Sequence, residues 1–359
     1  MTKKRINNIL IIIQRSNGDV FLSSPLVDAL YENYEHPLID LLVNDHTLAA
    51  AKTLNNIHRI YTFSKSSSRF TEALKTIKAI YKKYDLSISL TASDRSVFFS
   101  IVSGNFSLSA TEDSIKKSWW KKLFLNSSYY FDTSRHIVLN NTKSLELLGI
   151  ETDRLTVSPK RFIQKEASFT RSLSKSGINK FIIFHPSAQY DYKIYPVHLR
   201  IKLLELLNTL DIPLIVTGGK SSLDMKIKKE LPSLRNVYDF IGITSLEEFF
   251  ALSNLSIAYI GSDTLNMHIA ASQNKRIFAI FGPTILQTWS PWSNELQKNA
   301  ISDKPVQTYG NITIFQADMP CVACGLAGCG DNHGKSDCLY HIDTFTIFNE
   351  VQKWLKTSP

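Results

Sequence analysis

The sequence predicts an α/β protein built from two doubly wound parallel sheets, and three observations carry that expectation. Short apolar runs such as Asn8 to Ile13 and Phe181 to His185 alternate with longer helical stretches, so that strand, helix and strand recur. The series appears twice, on either side of a polar segment over 150–178 that is rich in Ser, Lys and Arg. A chain of 359 residues, 43% of them hydrophobic, is long enough to bury two cores of ordinary size.

Each element follows from its local pattern. Asn8 to Ile13 reads as a short buried strand, Ser16-Asn-Gly-Asp19 as the turn after it, and Val20 to Tyr34 as a helix with Pro25 in its first turns. Ile39 to Val43 is the next strand. Ile57 to Phe63, a helix over Phe70 to Tyr84 and a strand over Leu86 to Leu90 repeat the unit, which implies a parallel sheet. The second series opens with Phe181 to His185, continues through a helix from Val197 to Leu210, and reaches the strand Pro213 to Thr217 before Gly218-Gly219. A strand over Val237 to Phe240 and a helix from Ser245 to Leu252 follow. The expected domains are 1–165 and 178–359, with no internal repeat or low-complexity tract.

Composition limits the classes of function. The basic start Lys3-Lys4-Arg5 precedes an apolar run, Ile9 to Ile13, that Gln14-Arg15 stops before it reaches the length of a signal-peptide core. No run approaches the roughly 20 apolar residues that span a bilayer, so a soluble, cytoplasmic protein is expected. Residues 1–176 carry 25 Lys+Arg against 16 Asp+Glu, a balance of +9, while 177–359 carry 16 against 16. The first half is therefore expected to face something anionic, for which phosphorylated or acidic sugars and nucleic acid both qualify on charge alone, with a merely solvated basic surface as the plain alternative.

The densest signal is Tyr259-Ile-Gly-Ser-Asp-Thr-Leu-Asn-Met-His-Ile-Ala-Ala-Ser272, followed by Phe278-Ala-Ile-Phe-Gly-Pro-Thr284 and Trp289-Ser-Pro-Trp292. It reads as a buried strand, a turn of helix-capping residue types, a helix from about Asn266 and a second parallel strand, Arg276 to Phe281. Two loops then meet at the carboxyl edge of one sheet, beside a helix start that attracts phosphate. In order and spacing this stretch resembles glycosyltransferase family 9, the bacterial lipopolysaccharide heptosyltransferases, whose signature runs Gly-(Ser/Asn/Val)-Asp-(Thr/Ser)-Gly-x-x-His-x-Ala-Ala and continues to Phe-Gly-x-Thr. The resemblance implies the GT-B arrangement, two Rossmann-like domains facing across a cleft. On that reading 1–165 binds the acceptor and 178–359 the nucleotide-sugar donor.

Candidate site residues follow from the motifs. A Gly before an Asp at a strand-to-helix turn leaves the Asp19 carboxylate at the sheet edge. By itself such an Asp is usually a helix cap, whereas the resemblance makes Asp19 the general base for the acceptor hydroxyl, a role that depends on placement because a carboxylate is a weak base. In Phe184-His-Pro-Ser-Ala-Gln-Tyr-Asp-Tyr-Lys-Ile-Tyr-Pro196, Lys193 is ordinarily a surface group, and by resemblance it meets the departing diphosphate, where negative charge grows. Ser187 is expected to donate to phosphate. Gln189 stands where the family commonly has Arg, and Tyr195 where it has Trp. In the signature, Asp263 is expected to orient the sugar or its neighbouring backbone, the amides of Thr264 and Leu265 to meet the diphosphate, and His268 to donate to it. Leu265 replaces a family glycine. Asp224, after Gly218-Gly219, is the carboxylate available for adenine or ribose, while Lys65, Arg69 and Lys121 of the basic half are expected to meet the acceptor's acids.

The four cysteines, Cys321, Cys324, Cys329 and Cys338, all lie in the Gly-rich loop over 318–340. Three readings stay open for them: a structural zinc, reduced thiols or a redox role. The family resemblance narrows here toward the heptosyltransferase III branch. Ser114-Ile-Lys-Lys-Ser-Trp-Trp-Lys-Lys-Leu-Phe-Leu125 mixes tryptophan and lysine as headgroup-seeking helices do, though an ordinary packed amphipathic helix has the same composition. The expected activity is inverting transfer of heptose from ADP-L-glycero-D-manno-heptose to the lipopolysaccharide inner core (Kdo/heptose-lipid A). No catalytic metal and no nucleic-acid partner are expected, and peripheral contact with the inner membrane would suit such an acceptor. The alternatives are a family 9 enzyme with another donor or acceptor, such as heptosyltransferase II or an outer-core enzyme, a non-catalytic nucleotide-sugar binder, and a nucleotide-sugar epimerase.

Overall fold

The computed structural model describes residues 6–64, 68–301 and 304–357. The chain divides after Lys160 into two compact units. The first contains β1 (Asn8–Ile13), α1 (Asn17–Phe21), α2 (Ser24–Asn33), β2 (Leu38–Asn44), α3 (Leu48–Ala51), β3 (Arg59–Phe63), α4 (Arg69–Ile80), β4 (Tyr84–Ser89), α5 (Asp94–Ser103), β5 (Gly104–Thr111), α6 (Ile115–Phe124), β6 (Ser127–Tyr130) and α7 (Ile137–Leu147). The second contains α8 (Ile163–Lys175), β7 (Ile182–His185), α9 (Val197–Asn208), β8 (Leu214–Gly218), α10 (Ser222–Lys229), β9 (Val237–Ile241), α11 (Leu246–Leu255), β10 (Ala258–Ser262), α12 (Leu265–Ser272), β11 (Arg276–Ile280), α13 (Leu286–Trp289), β12 (Val306–Tyr309), β13 (Ile312–Phe315) and α14 (Thr344–Thr357).

In the first unit the strand order is β3-β2-β1-β4-β5-β6, all parallel. Ile9 to Ile13 are buried on both faces, as a central strand between helix layers requires. The second unit has the order β12-β13-β11-β10-β7-β8-β9, and its β12–β13 pair is antiparallel, an edge extension that the strand–helix rhythm of the sequence does not announce. Its core gathers Phe184, Leu203, Val216, Ile260, Phe278 and Val351. In both sheets the first strand of the series, β1 or β7, lies where the strand order reverses. Loops leaving that point at the carboxyl edge are where α/β proteins place ligands. Asp19 follows β1, and Ser187 and Asp263 follow the adjacent strands β7 and β10. These two strands approach so closely that a Cβ at Gly261 would lie 2.4 Å from the His185 carbonyl oxygen, which only glycine avoids.

Three expectations about elements change. The helix foreseen over Val20 to Tyr34 is two helices, α1 and α2, broken at Leu22-Ser23. In one continuous helix Pro25 would lack the amide needed by the Phe21 carbonyl; the break places it instead at the start of α2, where no such bond is required. The helix expected to run to Tyr84 ends at Ile80, because Lys82 takes a left-handed conformation (φ 49°) and Tyr84 already belongs to β4. The segment over 150–178 is not all linker: α8 packs on α11 and buries Leu173, so residues from Arg161 onward join the second unit. Counted by these units, 1–160 hold 21 Lys+Arg against 15 Asp+Glu (+6) and 161–359 hold 20 against 17 (+3). The basic excess is shared more evenly than a division at 176 implies. Among the described residues no helix is long and apolar enough to cross a membrane.

Candidate active site

Asp19 occupies the third position of α1 and is 4% exposed. Its Oδ1 receives the Arg15 guanidinium at 2.8 Å, and its Oδ2 accepts from the Ser16 hydroxyl at 2.5 Å and the Ser16 amide at 3.2 Å. The plain helix-cap role is therefore real, since Ser16 and Asp19 form a reciprocal capping box. Arg15 adds something a cap does not need. Its guanidinium rests over the Phe131 ring at 4.7 Å and fixes the carboxylate at the sheet edge. Sequence reasoning missed Arg15, although its i,i+4 spacing to Asp19 was the available signal.

In the second unit, the loops after β7 and β10 bring Lys193 and Asp263 together, with Nζ to Oδ2 at 2.6 Å. Burial works against both charges, and the pairing outweighs it. Asp263 holds the Lys193 ammonium above its ordinary value, while Lys193, then His268 and the Thr284 hydroxyl, hold the Asp263 carboxyl below the usual range. His268 lies one turn into α12 and is buried beside this pair. Thr264 is the N-cap of α12, so the first-turn amides open at the same sheet edge. Thr284, unassigned from sequence, was legible as the last residue of Phe-Gly-Pro-Thr. A fully buried His185 sits behind the cluster, 2.9 Å from the Thr217 hydroxyl and 3.3 Å from the Asn266 amide group. Burial takes its pKa down to about 4 against the opposing pull of Asp224 and Thr217, so the ring is neutral at physiological pH.

Several assignments need correction. Asp224 offers no free carboxylate to a ribose or adenine: one oxygen accepts from Ser187, and the other from the Ser221 amide at 2.8 Å and hydroxyl at 2.6 Å, in a capping box for α10. The same contact engages the Ser187 hydroxyl proton, which must leave Asp224 before Ser187 donates to a phosphate. Lys121 is fully buried in α6, paired with Glu112 at 2.7 Å and Asp94 at 2.9 Å, and cannot reach an acceptor. Lys65 lies outside the described residues; Arg69 opens α4, and nothing is described of its side chain. Gln189 is exposed in the Lys193 loop. Among the described residues no group of three or more His, Cys, Asp or Glu is arranged to hold a metal ion. Cys321, Cys324 and Cys329 are exposed, whereas Cys338 packs into the second core. Burial first, and then the neighbouring Cys329, Cys324 and Cys321, push its thiol up to about 11.

Residues 73–311 match the model of glycosyltransferase family 9 (heptosyltransferase). The chain belongs to glycosyltransferase family 9. It is 25% identical over 293 residues to lipopolysaccharide heptosyltransferase 3 of Escherichia coli strain K12, covering 79% of this chain and 84% of that protein. Its fold is similar to that of a family 9 glycosyl transferase from Veillonella parvula, with a TM-score of 0.74 over 98% of both chains at 16% identity. It is also similar to ADP-heptose lps heptosyltransferase II of Escherichia coli, with a TM-score of 0.72 over 97% of this chain and 98% of that one, again at 16% identity. The fold is thus GT-B, and the protein is a glycosyltransferase.

Two departures from the family pattern acquire physical reasons. Leu265 stands where the family has glycine, yet it begins α12 and is not among the residues with positive φ, so the backbone does not demand glycine. Tyr195 replaces the family Trp: its ring is buried, and its hydroxyl donates to the Ile342 carbonyl at 2.6 Å. A polar tip inside the core is satisfied there without an indole.

Proposed function

We propose that this family 9 glycosyltransferase moves a heptose from ADP-L-glycero-D-manno-heptose to the inner core of lipopolysaccharide, with inversion at the anomeric carbon, at the cytoplasmic face of the inner membrane. The observation that carries the proposal is the Lys193–Asp263 ion pair at the opening of α12, with His268 beside it, inside the family signature. A departing nucleoside diphosphate gains negative charge as its bond to the sugar breaks, and a fixed ammonium beside a helix start stabilises that charge without reorganising. Asp263 holds Lys193 in place for this purpose, and the names of the relatives supply the sugar and acceptor classes.

In the first unit Asp19 takes the proton of the acceptor hydroxyl. The freed oxygen bonds to the anomeric carbon, the carbon–phosphate oxygen bond breaks, and ADP leaves with the electron pair. The Ser16 hydroxyl on Oδ2 must yield to the acceptor, while Arg15 keeps Oδ1 oriented. Helix and lysine supply the positive charge in this reading, and no metal takes part in the step.

Replacing Asp19 with Asn keeps size and shape but removes the base. Turnover is expected to fall roughly 10²–10⁴-fold with ADP affinity near wild type. Unchanged transfer by Asp19→Asn would end the general-base role. Core oligosaccharide from a strain lacking the protein should be lighter by one heptose, and core of unaltered mass would sink the acceptor class.

A further inference from the structure

We infer that the helix layer α4–α5–α6 of the first unit is a docking face for an anionic phospholipid bilayer. The inference rests on the proposed function, which supplies a lipid-linked acceptor. Three neighbouring helices present large apolar side chains to solvent: Phe70 and Leu74 on α4, Phe98 on α5, and Ile115, Trp119 and Leu123 on α6. Exposures of 82% for Ile115, 61% for Trp119 and 69% for Leu123 are what a packed helix would not show.

The geometry of α6 separates the two readings its composition left open. Ser118, Lys121 and Leu125 form its buried side, and Lys121 is tied down by Glu112, Asp94 and the Ala92 carbonyl at 2.6 Å. Ile115, Trp119 and Leu123 recur every four residues on the opposite side, with exposed Lys116 and Lys122 flanking that stripe at 100° per residue. The buried lysine thus orients the helix so that its apolar stripe faces out.

α5 packs between α4 and α6, and right-handed crossovers from β3 to β4, β5 and β6 put all three helices on one face of the sheet. Exposed Lys75 and Lys78 on α4 join Lys116, Lys117 and Lys122 around the apolar groups. Asp94 and Asp113 are the exposed acidic side chains beside them; Asp94 is neutralised by Lys121, as Glu112 is, and Glu72 faces Lys75. Apolar side chains ringed by lysines match a bilayer whose headgroups are negative and whose interior accepts tryptophan and leucine. The face also has a direction. Phe70, Phe98 and Ile115 lie in the first turns of helices that start at the carboxyl edge, the edge where Asp19 follows β1. Docking by this face would bring that edge toward a lipid-anchored acceptor.

The test is flotation of the full chain with vesicles of phosphatidylcholine, with and without phosphatidylglycerol, together with transfer to a delipidated core acceptor in solution. Wild type should float with the anionic vesicles and be released in part by salt. The Ile115→Ser, Trp119→Ser, Leu123→Ser variant should bind them roughly tenfold less or weaker still, with unchanged circular dichroism and unchanged transfer in solution. The Lys116→Gln, Lys117→Gln, Lys122→Gln variant should lose the preference for anionic over neutral vesicles. Wild type that stays unbound, an apolar variant that binds like wild type, or a dimer in solution that the apolar variant abolishes would overturn the inference. Flotation without any heptose transfer would instead condemn the proposed function and leave the docking face standing.

Discussion

At the residue scale the candidate site of the second unit is organised by one ion pair under stress from burial. Removing Lys193 as Lys193→Met leaves Asp263 buried without its counter-charge, at a cost of roughly 3 kcal/mol. The pH dependence should also change sign. In wild type Asp263 is held below the ordinary range, so its contribution is present above its unfolded value of 3.8 and is lost as pH falls through the lower folded value. In the variant only His268 and the Thr284 hydroxyl oppose burial, which raises the carboxyl, so acidification toward that raised value should stabilise. Chemical denaturation across pH 3–7 reads both limbs. His185 makes a second case. Its folded pKa of about 4 lies below the unfolded 6.5, so the unfolded chain binds the proton first, and stability falls as pH drops through that window, by roughly 3 kcal/mol in total. His185→Gln should flatten that slope; a slope equal to wild type would assign it to other groups.

At the element scale, loops set what the strands only support. Central strands such as β1, β7 and β10 were legible as apolar runs because a central parallel strand buries both faces, and α9 was legible from its period, whereas β5, β6, β12 and β13 were not read from the sequence. Helix ends were less so: the α1–α2 break depends on Pro25 and Ser23 together, and the end of α4 on one left-handed residue, Lys82. The Cys loop shows the same limit. Its residue types leave zinc, thiol and redox readings open, and folding adds that Cys338 is buried in the second core beside Leu339 while the other three are exposed. Alkylation of the native protein followed by mass analysis should label Cys321, Cys324 and Cys329 quickly and Cys338 slowly. Protection of all four together, lost on treatment with a chelator, would decide for the metal.

At the scale of the whole molecule, the proposed function predicts that the protein binds a nucleoside diphosphate even without acceptor. ADP should raise the melting temperature by mass action, worth about 2.7 kcal/mol at a hundred times its Kd, and UDP should do less. Equal shifts from both, or none from either at millimolar concentration, would argue against an ADP-sugar donor. The measurement also separates loss of binding from loss of catalysis in Asp19→Asn, because Asp19 belongs to the first unit and Lys193 to the second.

The sequence by itself determined the fold class, the family and the motifs that carry Asp263 and His268 and, separately, Lys193, because these depend on local periodicity and on spacing within one strand–turn–helix unit at a time; that Lys193 meets Asp263, 70 residues away, is the work of the tertiary structure. Tertiary structure decided which polar groups remain available. Asp224 and Ser187 are distant in sequence and consume each other's hydrogen bonds. Lys121 looks like a surface lysine until Glu112 and Asp94 close over it, and its burial in turn shows which side of α6 faces out. A side chain's chemistry is written in its type, but whether that chemistry is free depends on partners that only folding brings within hydrogen-bond distance.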